Sequence, residues 1–84
     1  MTKKMYSIFD SKAQVYNPPF FNLTHGEAER NFSQLVSDPK STLFLYPKDF
    51  DLYYLGEYDD NTGKFNPCPP THMCSAVQHI PRVS

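Results

Sequence analysis

The sequence lacks the residue patterns that usually reveal a chemical activity. Its 84 residues include no Trp, three Gly and two Cys. No stretch pairs a nucleophile with a base, and no glycine-rich loop is suited to a phosphate group. We therefore expect a protein that is not an enzyme and that needs no cofactor and no metal.

Positive charge and long apolar runs are also scarce. Eight Lys and Arg against nine Asp and Glu give a formal net charge of −1. This balance excludes a protein that coats nucleic acid by bulk electrostatics, although a local basic patch remains compatible with it. No apolar run approaches the roughly 20 residues that cross a bilayer, and no apolar segment resembles a signal peptide. We expect a cytoplasmic protein with reduced thiols and no membrane partner.

Aromatic residues and prolines are abundant instead. The chain has seven Phe, six Tyr and eight Pro. Large rings fill a small core with few residues, and prolines stiffen irregular connections. A chain of this length buries a limited core, so its stability is marginal unless a partner or a second copy completes it. We expect one small domain over residues 1–84.

One helix is indicated over residues 24–36. Thr24 and Glu27 have the spacing of a capping box, in which each side chain accepts a hydrogen bond from an unpaired backbone N–H. The apolar residues after this cap recur at helical spacing and predict one buried stripe. The stripe consists of Ala28, Phe32, Leu35 and Val36.

Two strands flank this helix in the sequence. Residues 5–10 and 51–58 are rich in strand-forming residues, and Leu52, Tyr54 and Gly56 alternate onto one expected face of the second strand. Pro18 and Pro19 favour an extended arm before the helix. Residues 41–46 fit a helical turn or a strand, and the preceding Asp-Pro favours the turn. The pattern predicts an α+β fold with one amphipathic helix packed on a small, mainly antiparallel sheet.

The C-terminal part is harder to interpret. Residues 59–64 predict a turn and Phe65 a short return strand, which we expect residues 66–70 to break. Residues 75–80 are a candidate last strand. We divide the chain into residues 1–65 and a Pro- and Cys-containing tail of residues 66–84.

This tail contains four potential zinc ligands, Cys68, His72, Cys74 and His79. Their spacing is C-x3-H-x-C-x4-H, which lacks the C-x2-C unit of common structural zinc sites. Two free thiols and two surface imidazoles are therefore the preferred interpretation.

Several motifs occur together along the chain. They are S-I-x-D-S-K-A at residues 7–13, P-P-F-F at 18–21, A-x-R-x-F at 28–32, D-P-x-S at 38–41 and P-x-D-F-x-L-Y-x-L-G-E-Y-D-D-x-T-G-K-F at 47–65. In this order they resemble the small nonstructural protein of gokushovirus-type microviruses, which are tailless phages with circular single-stranded DNA genomes. The resemblance covers about residues 6–65 and carries no catalytic motif.

The resemblance implies a DNA-associated, non-capsid role in the cytoplasm of a bacterial host. It implies action at the switch from double-stranded replication to single-strand synthesis and packaging. Our first hypothesis is therefore binding of single-stranded DNA, with rings stacking on bases and basic side chains meeting phosphates. The residues assigned to stacking are Tyr16, Phe20 and Phe21. Those assigned to phosphates are Lys3, Lys4, Lys12 and Arg30.

The second hypothesis is a protein–protein adaptor that contacts the phage replication or capsid proteins without binding DNA. It would be a homodimer through an exposed strand edge or the helix face, because small domains often complete their cores across a twofold interface.

Overall fold

A single antiparallel sheet organises the chain, and one main helix packs on one of its faces. The computed structural model describes residues 1–80, so the last four residues of the expected tail lie outside the described residues. The elements are β1 (Thr2–Asp10), β2 (Val15–Tyr16), β3 (Phe20–Asn22), α1 (His25–Ser37), α2 (Thr42–Leu45), β4 (Phe50–Asp59) and β5 (Lys64–Ser75). Short 3-10 turns occupy Pro47–Asp49 and Ala76–His79. The α+β expectation is confirmed, with the sheet as the dominant part.

β1 and β4 form the middle of the sheet. β1 pairs with β4 on one side and with the short β2 and β3 on the other, and β5 pairs with the free side of β4. All of these pairings are antiparallel. The two strands expected from the sequence are confirmed and extend slightly further at their ends. The two prolines before the helix lie between β2 and β3, outside the strands, so their missing N–H groups interrupt no strand pairing.

The N-terminal cap of α1 forms close to the expected position. The Glu27 backbone N–H donates to Thr24 Oγ1 at 3.1 Å. The Glu27 carboxylate accepts from the backbone N–H of Leu23 at 3.1 Å, one residue earlier than a standard capping box. Both interactions fix the start of the helix, since each satisfies a backbone donor that has no partner within the helix.

The core lies between α1 and the face of the sheet that carries Tyr6 and Ile8. The buried helix residues are Ala28, Phe32 and Val36, and Leu52 and Cys74 meet them from β4 and β5. The expectation that Leu35 belongs to the buried stripe is wrong, because its side chain is 41% exposed. It lines a groove together with Phe20 of the short β3 strand.

A bulge in β4 changes which residues share a face. Tyr54 pairs with Tyr6 while Gly56 pairs with Met5, so Leu55 is an extra residue between them. Because Tyr6 and Met5 point to opposite sides of β1, Tyr54 and Gly56 also face opposite sides. Tyr54 therefore shares the core face with Leu52 as expected, and only the expectation that Gly56 joins them is wrong.

The return strand is longer than expected. β5 continues through Pro67, Pro69 and Pro70, so the predicted break over residues 66–70 is wrong. β5 is an edge strand, and one side of an edge strand makes no ladder hydrogen bonds. A proline is tolerated there when the position of its absent N–H faces solvent. The pairing with β4 shifts register twice along this stretch.

The candidate last strand over residues 75–80 is also wrong, because this segment forms the 3-10 turn Ala76–His79. Ser75 and Gln78 cap the turn reciprocally, and the Ser75 backbone N–H donates to Gln78 Oε1 at 2.8 Å. By contrast, the helical turn expected within residues 41–46 is confirmed as α2, with Ser41 as its cap. Within residues 1–80, no helix has the length and apolar character needed to span a membrane.

Candidate functional site

The second face of the sheet, opposite α1, carries most of the remaining aromatic rings. Residues directly opposite each other in an antiparallel pair share a face, so the register assigns each side chain. Tyr6 and Ile8 of β1 face the core, and the alternating residues face the other way. We call this second surface the outer face. On β1 its residues are Lys3, Met5, Ser7 and Phe9.

A first aromatic cluster occupies one end of the outer face. It consists of Phe9, Tyr16 and Tyr53, which come from β1, β2 and β4. The ring centroids lie 4.7 Å apart for Phe9 and Tyr16, and 5.5 Å apart for Tyr16 and Tyr53. Tyr16 is 45% exposed, while the two rings beside it are partly buried. The exposed Tyr16 ring therefore rests on two better-buried rings.

A second aromatic cluster occupies the other end. It consists of Phe21, Tyr58 and Phe65, from β3, β4 and β5. The Tyr58 ring centroid lies 5.7 Å from that of Phe21 and 5.0 Å from that of Phe65. Phe21 and Phe65 are 42% and 58% exposed, and Tyr58 between them is partly buried. Two exposed rings, Phe21 and Phe65, are therefore supported by the partly buried ring of Tyr58.

Few positive charges accompany these rings. Lys3 lies opposite Tyr58 and so belongs to the outer face beside the second cluster. Its Nζ is 3.8 Å from Asp60 Oδ2, and both side chains are substantially exposed. Lys12 is exposed in the turn that follows β1, at the end of the sheet where the first cluster lies. One lysine thus flanks each cluster.

The structure brings together only part of the predicted set. Tyr16, Phe21 and Lys3 share the outer face, and Lys12 lies at its end. Phe20 packs on the helix side, where its ring stacks on Tyr6 with centroids 5.8 Å apart.

Two predicted phosphate-binding residues point elsewhere. Lys4 alternates with Lys3 and therefore lies on the face of α1, with its Nζ 3.9 Å from Glu57 Oε1. Arg30 is exposed on α1 itself, across the sheet from the two aromatic clusters. The predicted residues therefore do not form one continuous surface.

The residues assigned to stacking from the sequence omit four rings of the outer face: Phe9, Tyr53, Tyr58 and Phe65. Phe9 was assigned only to a strand, and Phe65 only to the start of the return strand. The turn between Asp59 and Lys64 held the necessary signal. Once these two residues pair, Phe65 must lie opposite Tyr58 and on the same face.

A Ser–His–Asp group occurs at the margin of the outer face but lacks the geometry of a catalytic triad. His72 Nε2 lies 3.1 Å from Asp51 Oδ1 and 3.4 Å from Ser75 Oγ. In a triad the carboxylate and the hydroxyl contact different ring nitrogens, which lets the imidazole move a proton between them. Here both contacts use one nitrogen, so this arrangement supports no such relay.

The tail cysteines differ in environment. Cys74 is buried under α1, and burial raises the pKa of its thiol to about 11. Cys68 is partly exposed in β5. In the part of the chain that the structure describes, no three His, Cys, Asp or Glu side chains are grouped closely enough to hold a metal ion.

The structure is thus a small α+β domain with aromatic clusters on the sheet face opposite its main helix. The Phage ORF5 protein family matches residues 3–79, and the chain belongs to this family. It is 42% identical over 67 residues to Protein ORF5 of Chlamydia phage 1, across 74% of this chain and 69% of the relative. The family match extends beyond residue 65 into the tail. No solved structure matches the chain.

Proposed function

We propose that this phage protein is a non-enzymatic, nonstructural protein of the gokushovirus type that binds single-stranded DNA through the outer face. It would act in viral DNA replication, single-strand synthesis or packaging, in the cytoplasm of the bacterial host. The observation that carries the proposal is the pair of aromatic clusters on the sheet face opposite α1.

The chemistry of the outer face suits unpaired bases. Bases stack on aromatic side chains in a manner that tolerates any sequence, because every base has a π face. In duplex DNA these faces are already stacked on each other, so the rings would favour single strands. Lys3 beside the second cluster and Lys12 near the first would meet phosphates at the two ends.

The test is fluorescence anisotropy of labelled single- and double-stranded oligonucleotides titrated with the protein at low and moderate salt. We expect a clear preference for single strands. Tyr16→Ala and Phe21→Ala should each weaken binding roughly five-fold or more, as expected for loss of a stacking ring. Phe44→Ala is the matched control, because Phe44 is as exposed as Phe21 but lies on α2. Absence of binding at low salt would refute the proposal.

The alternative is an adaptor that contacts the phage replication or capsid proteins. The observation that favours it is a groove of about 560 Å³ beside α1, whose lining includes Phe20, Phe32 and Leu35. The edge-to-edge homodimer form is disfavoured by the prolines in β5 and between β2 and β3, which hinder strand addition.

Two measurements distinguish the two proposed functions. Sedimentation at high micromolar concentration would reveal a homodimer, and a monomer there would remove the dimeric form. Leu35→Lys should abolish co-purification with a phage protein if the groove is the interface, while leaving oligonucleotide binding unchanged. Loss of DNA binding in this variant, with its fold intact, would count against the outer face as the DNA site.

A further inference from the structure

The two aromatic clusters are separated along β1. We infer that the outer face is a bipartite site, in which one single strand of DNA engages both clusters at the same time. This inference rests on the proposed function and adds the length and path of the ligand. The first cluster includes Phe9 and the second lies beside Lys3, so the path runs in the direction of β1.

The separation follows from strand geometry. Phe9 and Lys3 are six positions apart on β1, which corresponds to about 20 Å at roughly 3.3 Å per residue. Between them the outer face offers Met5 and Ser7, which are 7% and 0% exposed. Other parts of the chain cover both residues, so the stacking positions fall into two groups, and a strand that joins them crosses a covered stretch of the face.

The exposed rings are held in place by their neighbours. Tyr16 contacts Phe9 and Tyr53, and Phe21 and Phe65 both contact Tyr58. Rings that are already ordered lose little conformational freedom when a ligand binds. Each cluster is therefore a preformed stacking position.

The gap sets the length of DNA that can reach both clusters. A strand that keeps the stacked spacing of about 3.4 Å per nucleotide needs about six nucleotides to span about 20 Å. A shorter strand reaches one cluster only. A longer strand gains the second contact as an intramolecular step, which raises its affinity well above that of either cluster alone.

The experiment compares oligothymidylates of about four, eight and twelve nucleotides, a range typical of single-strand sites on small β folds. Binding is followed by anisotropy for the unmodified protein, Tyr16→Ala, Phe65→Ala and the double variant. Phe44→Ala is again the control. Melting curves check that each variant folds, and Tyr16→Leu and Phe65→Leu replace any variant that does not, because leucine keeps the apolar contact without a π face.

The bipartite site has a distinct signature. For the four-nucleotide ligand, each single variant should weaken binding by no more than about two-fold, since the other cluster remains available. For the two longer ligands, each single variant should weaken binding roughly five- to one-hundred-fold. The affinity of the unmodified protein should rise steeply between about four and eight nucleotides.

Two different failures can be told apart. Binding that does not increase with length, or that depends on one cluster only, would overturn the bipartite site and leave the single-strand function standing. If no oligonucleotide binds at low salt, the proposed function fails and the bipartite site fails with it.

Discussion

Gly56 of β4 lies directly against the backbone of Asn66 in β5. A Cβ atom at Gly56 would lie 2.3 Å from the Asn66 carbonyl oxygen and 2.8 Å from the Cα of Pro67. Gly56 also has a φ of +123°, a conformation that side chains disfavour. The bulge that turns Gly56 and Tyr58 to the outer face therefore depends on a glycine at this position.

Replacing Gly56 tests this dependence. We expect Gly56→Ala to lower the free energy of unfolding by more than about 2 kcal/mol, because backbone strain and steric overlap act together. Urea denaturation measures the loss. The control is Gly26→Ala in the first turn of α1, where the nearest atom is 3.9 Å away and a gain of about 0.5 kcal/mol is expected. Equal stability of the two variants would contradict the role of Gly56.

The cap of α1 gives a second prediction. Thr24→Ala removes the acceptor for the Glu27 N–H and should cost about 1 kcal/mol of stability in urea denaturation. Thr24→Ser keeps an oxygen at the same position, so we expect it to retain most of the stability. A serine variant as weak as the alanine variant would show that the threonine methyl group, and not the cap, matters.

Alkaline pH should destabilise the fold through Tyr6. Burial, with smaller contributions from Tyr54, Glu27 and Glu29, raises the pKa of Tyr6 to about 12. The unfolded chain, whose tyrosine pKa is about 10, therefore loses this proton first as the pH rises. The contribution to stability is fully present below about pH 10 and is lost as the pH rises towards about 12.

Tyr6→Phe isolates this effect. The hydroxyl of Tyr6 lies 2.7 Å from His25 Nδ1, so its removal should cost about 1 kcal/mol at neutral pH. The variant should lose less stability than the unmodified protein between about pH 10 and 12. Denaturation curves across this range provide the measurement, with Tyr16→Phe on the exposed surface as control. An unchanged alkaline decline in Tyr6→Phe would assign the effect to other groups.

Salt should weaken DNA binding only slightly if the outer face is the site. Two lysines flank this face, so about two phosphate contacts are expected. For single-stranded DNA, each contact contributes about −0.7 to the slope of the logarithm of the binding constant against the logarithm of the salt concentration. Lys3→Ala should make the slope shallower by about 0.7. Arg30→Ala should leave it unchanged, because Arg30 lies across the sheet. A slope several times steeper would indicate a basic surface other than the outer face.

The two thiols should react at different rates. Cys74 is buried and its pKa is raised to about 11, so at neutral pH it carries very little thiolate, the reactive form. Cys68 is partly exposed and should react first with a thiol reagent in the folded protein. Mass spectrometry of Cys68→Ser and Cys74→Ser assigns each rate. Faster labelling of Cys74 would mean that the β5 end opens readily.

The parts of the fold that depend on local patterns could be predicted. The cap at Thr24, the stripe of Ala28, Phe32 and Val36, and the two long strands follow from spacing and composition. The run of β5 through three prolines could not be predicted, because its tolerance depends on lying at a sheet edge. Of the predicted DNA-binding residues, Tyr16, Phe21 and Lys3 share one face only because β1 pairs with β2, β3 and β4 in one particular register.

Local patterns were enough to predict a small α+β domain, its main helix and its many aromatic rings, since periodicity and capping act between residues close in the chain. Which of these rings meet depends on the pairing of distant strands. A single extra residue in β4 reverses the side-chain alternation, and this places Tyr58 and Phe65 on the outer face together with Phe21. Long-range pairing, which local patterns do not specify, therefore creates the candidate site.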